Sequence, residues 1–372
     1  MVKLLGQEIG GKRVKHSMIS RIFDNLLGRG SAAVTVPPMD GALKPNNQLE
    51  NLQPGIPAAQ VDDIVEWKGE PLWSDGATLV SRSGVQAELP SVITALAALD
   101  DTLVVATLDD GLILLGGDYQ RAEIAWATPI TNVTAISVDQ SGVILFCTGS
   151  QTNAPNEWRR DLMETNQSGM IGRANPKTGE VRILAKNLRY PSGIATTASG
   201  SIVYSEAWAS HIVEMSADGS NAQIIFDEIP GYPGRLCRQE NGTFWLSVFA
   251  PRNPLIEFVL REPAYRKAML QEVAPEFWIA PHFYSGRYFN EPMQGGALKQ
   301  MGILKPWAPT RSYGLVIELS STFIPLRSFH SRTGGSRHGI TSALQSGNTL
   351  WMACRGNGEI LEMQLVEKGK AL

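Results

Sequence analysis

The chain has 372 residues, a formal net charge of −3, 19% charged residues and 43% hydrophobic residues. Such a balance suits a globular chain with a large core and gives no basic excess for nucleic acid. No apolar run reaches the length of a membrane-spanning helix, so no membrane span is expected.

Residues 1–60 read as an N-terminal arm. The first residues, "MVKLLGQEIGGKRVKHSMISRIFDNLLG", lack an apolar core and a small-residue cleavage site, so no secretory signal is expected. An amphipathic helix is expected around Ser17 to Leu27, and "VPPMDGALKPNNQLENLQPG" reads as extended.

From residue 61 onward a unit recurs. A polar pair, usually with glycine, precedes a β-rich run at "SDGATLV" (74–80), "LDDTLVV" (99–105), "QSGVILF" (140–146), "ASGSIVY" (198–204), "ENGTFWL" (240–246) and "QSGNTLW" (345–351). Each joins hairpin-turn chemistry to β-branched or aromatic residues. Most follow another apolar run, such as "VITALAAL" or "PSGIATT", and several precede a third and a fourth, such as "HIVEMSA" and "AQIIFDE". The unit is therefore a four-stranded antiparallel sheet, and six such units predict an all-β fold, a six-bladed β-propeller over 61–372. Residues 261–312 break the pattern with "EPAYRKAMLQEV" and "APEFWIAPHFY", which read as short helices divided by proline and glycine. This helical insertion is a candidate lid over the axial pocket. The cysteines, Cys147, Cys237 and Cys354, show no metal-binding spacing and read as buried thiols, which fits a cytoplasmic location.

The segment from Asn132 to Val248 resembles the strictosidine synthase-like proteins of the gluconolactonase and paraoxonase group of six-bladed propellers. "WRRDLMET", "SGMIGRANPKTGEVRILAKNLRYPSGIA", "SEAWASHIVEM" and "IPGYPGRLCRQENGTFWLSV" carry the likeness, with "YGLVIELS" and "ITSALQSGNTLWMACRGNGEILEM" near the C-terminus. Metal-dependent members of that group hold a calcium-like ion on the axis with oxygen ligands. The resemblance puts their acidic and amide ligands on Glu70, Thr134, Ser192 and Gly234, the last followed by Arg235. One carboxylate and an adjacent cation make a poor calcium site, so no cofactor is expected, with calcium at Glu70 as the alternative. The alkaloid-forming members use a last-blade Glu after a His. Here His338 keeps the His and Ile340 replaces the Glu.

The candidate catalytic residues are thus His338, as general acid or base, and Glu70, expected to face Arg235 across the axis. The expected substrate-binding residues are Arg235, Ser192, Thr134, Tyr232, Trp208 and, in the lid, His282. Glu206 reads as a buried structural residue, and Asp161 and Glu164 as solvated charges of a surface loop. The expected function is hydrolysis of a small polar lactone or ester, anionic ones included. The alternatives are a metal-free condensing enzyme of the strictosidine synthase type and a non-catalytic binding propeller. No phosphate loop, zinc-peptidase helix or nucleophile elbow occurs. The oligomeric state is not legible from the sequence.

Overall fold

The structure, a computed structural model, describes residues 36–122, 124–287, 299–300, 303–304 and 311–365. They belong to one unit, Val36–Leu372. The expected helix around 17–27 lies outside the described residues.

Six four-stranded antiparallel sheets follow one another along the chain as the blades of a propeller. Blade 1 is Val61–Trp67, Glu70–Asp75, Thr78–Ser81 and Gly84–Glu88. Blade 2 is Ile93–Leu99, Thr102–Thr107, Gly111–Leu115 and Arg121–Ala122. Blade 3 is Val133–Val138, Ile144–Thr148, Gly169–Ala174 and Val181–Leu188, and blade 4 is Pro191–Thr196, Ile202–Glu206, His211–Met215 and Gln223–Phe226. Blade 5 is Gly231–Arg238, Phe244–Pro251, Gly314–Leu319 and Pro325–Ser331. Blade 6 is Ile340–Ser346, Thr349–Cys354 and Glu359–Gln364, and its outermost strand is Ile56–Pro57, supplied from before blade 1. The sheet system thus reaches back into the expected arm and closes the circle through main-chain bonds rather than ending on a bare edge.

The sequence shows why the blades stack. Inner strands such as "ITALAAL" are buried along most of their length, whereas the outermost strand of blade 3, "VRILAKNL", is only partly covered. Each blade interface has its own apolar core. Trp67, Leu79, Ile93 and Leu103 join blades 1 and 2, and Trp73, Ile64, Trp351 and Ile360 join blades 6 and 1. Each such large side chain contributes about 1.5–3 kcal/mol by burial.

Two features cover one end of the propeller. Helix α1, Trp158–Glu164, lies between the second and third strands of blade 3, where a loop was expected. An insertion between the second and third strands of blade 5 carries α2, Pro254–Leu260, and α3, Pro263–Glu272. It starts before the expected 261, because the apolar "PLIEFVL" is helical and does not prolong the strand. Asn253 caps α2, its side chain accepting from the Leu255 N–H at 2.8 Å, and Pro254 suits the first helical position. Both elements sit on one apolar cluster of Trp158, Leu162, Tyr232, Phe249, Ile256 and Trp278.

Candidate functional site

Each inner strand carries a bulge, next to its first residue in five blades and at its middle in blade 5. Register shifts place one extra residue at Asp62-Asp63, Thr94-Ala95, Thr134-Ala135, Ser192-Gly193, Gly234-Arg235 and Thr341-Ser342. A bulge re-aims a side chain while leaving the rest of the ladder intact. Six equivalent bulges therefore present a ring: Asp62, Thr94, Thr134, Ser192, Gly234 and Thr341. All six line the same hollow at the mouth of the axial channel.

Hydroxyls of the ring stitch neighbouring blades together. Thr134 Oγ1 donates to the Pro191 carbonyl at 2.6 Å, Ser192 Oγ to Pro233 at 2.7 Å, and Thr341 Oγ1 to Asp62 at 2.6 Å. Gly234 has no side chain to offer, and a Cβ there would meet Ser247 Oγ at 2.7 Å. Its neighbour Arg235 supplies the axial group instead. Arg235 Nη1 donates to the carbonyls of Asp62 (3.0 Å) and Thr341 (3.1 Å), and Nη2 donates to Asp62 Oδ2 (2.7 Å) and the Thr94 carbonyl (2.5 Å). Nε lies 3.1 Å from Asp63 Oδ2, an ion pair that is not aligned as a hydrogen bond. One guanidinium from blade 5 thus ties blades 1, 2 and 6.

The charges around it are balanced and buried. Burial opposes ionisation of Asp62, but Arg235 and Arg355 outweigh it and hold its carboxyl below the usual range. Arg355 also bonds Asp62 Oδ1. Asp63 faces the opposite hollow, deeper in the channel, and burial raises its pKa despite Arg235. Burial disfavours the charged form of Arg235, but Asp62 and Asp63 prevail and raise its pKa, so it stays cationic.

Above the ring, Pro155, Trp158, Tyr190, Phe249 and Phe283 form an apolar wall. The hollow measures about 620 Å³, counting its open mouth. Its floor is polar and its sides are aromatic, which suits a small amphipathic organic molecule.

The strictosidine synthase family model matches residues 134–217, a stretch that contains the ring residues Thr134 and Ser192. Strictosidine synthase-like 6 of Arabidopsis thaliana is 20% identical over 71% of this chain and 64% of its own length. The adipocyte plasma membrane-associated protein of Danio rerio is 25% identical over 54% of this chain and 44% of its own length. The likeness is to the strictosidine synthase-like proteins. The matches with these two relatives span roughly half to two thirds of the relatives' length. Among solved structures, a gluconolactonase of Xanthomonas campestris has a TM-score of 0.54 at 13% identity, over 84% of this chain and 88% of that one. A regucalcin of Agrobacterium tumefaciens, titled a calcium-binding protein, has a TM-score of 0.51 at 13% identity, over 84% and 92%. These two share the six-bladed fold.

Thr134, Ser192 and Arg235 meet at the axis, but both terminal nitrogens of Arg235 are already bonded to the protein. Glu70 does not face it. Glu70 is exposed and opens the second strand of blade 1, paired with Trp67 at the far end from the ring. Ser74, which backs the bulge, lies four positions further on, roughly 13 Å of strand. The carboxylates at Arg235 are Asp62 and Asp63.

His338 does not line the hollow. It is buried, with Nδ1 2.7 Å from Ser312 Oγ and Nε2 3.0 Å from the Arg332 carbonyl. A carbonyl only accepts, so Nε2 carries the proton and the ring is a neutral structural link. Burial lowers its pKa against the pull of Arg332 and Glu50.

Tyr232 and Trp208 pack beneath the insertion rather than lining the hollow. Tyr232 OH is 3.3 Å from Glu257 Oε1; Trp208 stacks on Tyr190 at 4.4 Å and donates Nε1–H to Asp161 at 2.7 Å. His282, in the insertion, lies against Tyr284 outside the hollow; burial and then Arg159, Arg311 and Arg287 push its pKa down to about 2. Phe283 beside it does form part of the wall. Glu206 accepts from the Arg189 N–H at 2.6 Å and faces His211, as a structural residue would. The three cysteines are free thiols, and burial raises the pKa of each.

Thr94, Thr341, Asp62 and Arg355 escaped sequence reading. A signal existed. "VDDI", "ITAL", "VTAI", "PSGI", "PGRL" and "ITSA" are the same four positions of the six inner strands. The second position is always small or hydroxylated apart from Asp62.

Proposed function

We propose that this chain acts on a small organic molecule at the axial hollow without a divalent cation. The observation that carries the reading is the guanidinium of Arg235 inside the ring. The ring offers one carboxylate, already shared by two arginines, three hydroxyls already donating to carbonyls, one more hydroxyl and a glycine. Calcium takes six to eight oxygens, mostly carboxylates and carbonyls. A divalent ion about 4 Å from the guanidinium is repelled by roughly 8 kcal/mol at an effective dielectric of about 20. The donor set does not fit the ion.

The proposed reaction class, by analogy with a gluconolactonase of the same fold, is hydrolysis of a small lactone or ester. Arg355 then stabilises the developing oxyanion, and Asp62, the carboxylate lining the hollow, orients the attacking water. The test is turnover of a panel of lactones and aryl esters with and without EDTA, alongside elemental analysis. The expected result is EDTA-insensitive turnover, no stoichiometric calcium and an unchanged melting temperature on chelation. One calcium per chain, with a lower melting temperature after chelation, overturns the metal-free site.

A second reading is ligand binding without turnover. It is favoured by the two guanidinium groups on Asp62, which weaken it as a base. Calorimetric binding with no turnover across the panel supports it over hydrolysis.

A further inference from the structure

Resting on the metal-free reading of the axial hollow, we propose that its ligand is a carboxylate attached to an aromatic or aliphatic body, held by Arg355 and the Thr94 hydroxyl. The ring explains why these two stand apart. Four of its positions carry a hydroxyl: Thr94, Thr134, Ser192 and Thr341. Three of those donate to the next blade, as described. The fourth, Thr94 Oγ1, is buried and has no hydrogen-bond partner among the described residues. A buried hydroxyl without a partner is costly, and a ligand oxygen would satisfy it.

Arg355 is the second unspent group. One of its nitrogens bonds Asp62 Oδ1; among the described residues its other donors have no acceptor. Its side chain is 30% exposed, and its guanidinium lies over the Phe283 ring at 5.1 Å. Arg235, by contrast, has both terminal nitrogens fully engaged. The two unspent groups line the same hollow and are linked through Arg235 and Asp62. Arg235 Nη2 touches both the Thr94 carbonyl and Asp62 Oδ2, while Arg355 takes the other oxygen of that same carboxylate.

The charge pattern selects the ligand's sign. Asp62 is the carboxylate lining this hollow, and it meets two guanidinium groups there. Asp63 faces the other hollow. An ammonium ligand would find Asp62 already shared by Arg235 and Arg355, whereas Arg355 keeps unspent donors for an anion. A carboxylate meets the fork of Arg355, which suits its planar oxygens, with Thr94 as a further donor. The aromatic wall of Trp158, Phe249 and Phe283 takes the ligand's apolar body.

Calorimetry on the full chain at pH 7.5 tests this with three matched probes: phenylacetate, phenylacetamide and phenethylammonium. Phenylacetate is expected to bind at least tenfold tighter than the amide, and the ammonium not measurably. Arg355→Gln, which leaves Asp62 paired with Arg235, is expected to shrink the preference for carboxylate over amide below threefold. Thr94→Val, nearly isosteric, is expected to weaken phenylacetate three- to tenfold while the melting temperature of the free protein stays the same or rises. The proposal falls if phenylacetate shows no millimolar binding. It falls equally if the amide or ammonium binds as tightly, or if either variant binds phenylacetate like the wild type. Elemental analysis and the EDTA series are independent of the probe's charge, so failure of the anion seat is distinguishable from failure of the metal-free site.

Discussion

At the scale of single residues, Arg235 decides the chemistry of the axis. It is buried with Asp62 and Asp63, at side-chain exposures of 12%, 16% and 5%. Removing one partner of a buried ion pair leaves an uncompensated charge and costs about 3–5 kcal/mol. Arg235→Met is expected to lose that much in guanidinium unfolding. Arg235→Lys is expected to lose less, since it keeps the charge but replaces a planar fork with a point donor. A Met variant as stable as the wild type would mean that the two carboxylates do not depend on the guanidinium. Part of this site was legible in the sequence. "PGRL" places a cation where the resemblance led one to expect an acid, and Thr134 and Ser192 fall on the ring. Asp62 was not legible, because nothing local distinguishes it from the other acids of "VDDIVEWKGE". His338 misled for a related reason: it stands three residues before the ring residue Thr341, and two hydrogen bonds turn it inward. Proximity to a ring position along the chain says little about where a side chain points.

At the scale of elements, five of the six expected turns join the first and second strands of blades 2 to 6. The sixth, "SDGATLV", joins the second and third strands of blade 1. The true equivalent is Lys68-Gly69, whose glycine has φ +77°. Reading blade 1 one strand late is what put Glu70 in place of Asp62. The arm also behaves as an element. Arg337, 7% exposed, donates from Nη1 to the carbonyls of Leu49 (2.8 Å) and Leu52 (2.8 Å), from Nη2 to Gln53 (2.8 Å) and from Nε to Glu359 (3.2 Å). The Glu50 carboxylate accepts from Ser331 Oγ at 2.6 Å and from the Ser336 and Arg337 N–H groups. Leu49 is fully buried between blades 5 and 6. A polar-looking stretch is thus strapped down by carbonyl contacts that composition does not reveal. Arg337→Met is expected to release the strap, speed cleavage by Glu-C endoproteinase after Glu50 and cost about 3–5 kcal/mol through the unpaired Glu359. Unchanged cleavage would show that the strap holds without it.

At the scale of the whole molecule, stability is tied to pH through buried histidines. His282 is held down to about 2, His330 to about 4 and His338 below the usual value, each by burial first. An unfolded histidine titrates near 6.5. Below that pH the unfolded chain binds protons that the folded chain refuses, so stability falls as pH falls. Asp62, whose pKa is lowered, acts in the same direction below about pH 4. Asp63, whose pKa is raised, opposes: its contribution is full at low pH and is lost as pH rises through its folded value. Between pH 6.5 and 5 the histidines dominate, and His282 and His330 each cost up to about 2 kcal/mol at 1.36 kcal/mol per unit, with His338 adding in the same direction. Guanidinium unfolding at pH 7 and pH 5 is therefore expected to show a loss of several kcal/mol. His338→Gln, whose amide can accept from Ser312 and donate to the Arg332 carbonyl, is expected to reduce the loss. A pH-independent midpoint, or a loss that the variant leaves intact, would mean that the histidines take up protons in the folded state. Acid lability of this kind reaches the site through the frame, because His338 anchors the chain into the inner strand that carries Thr341, and His282 stands next to the wall residue Phe283.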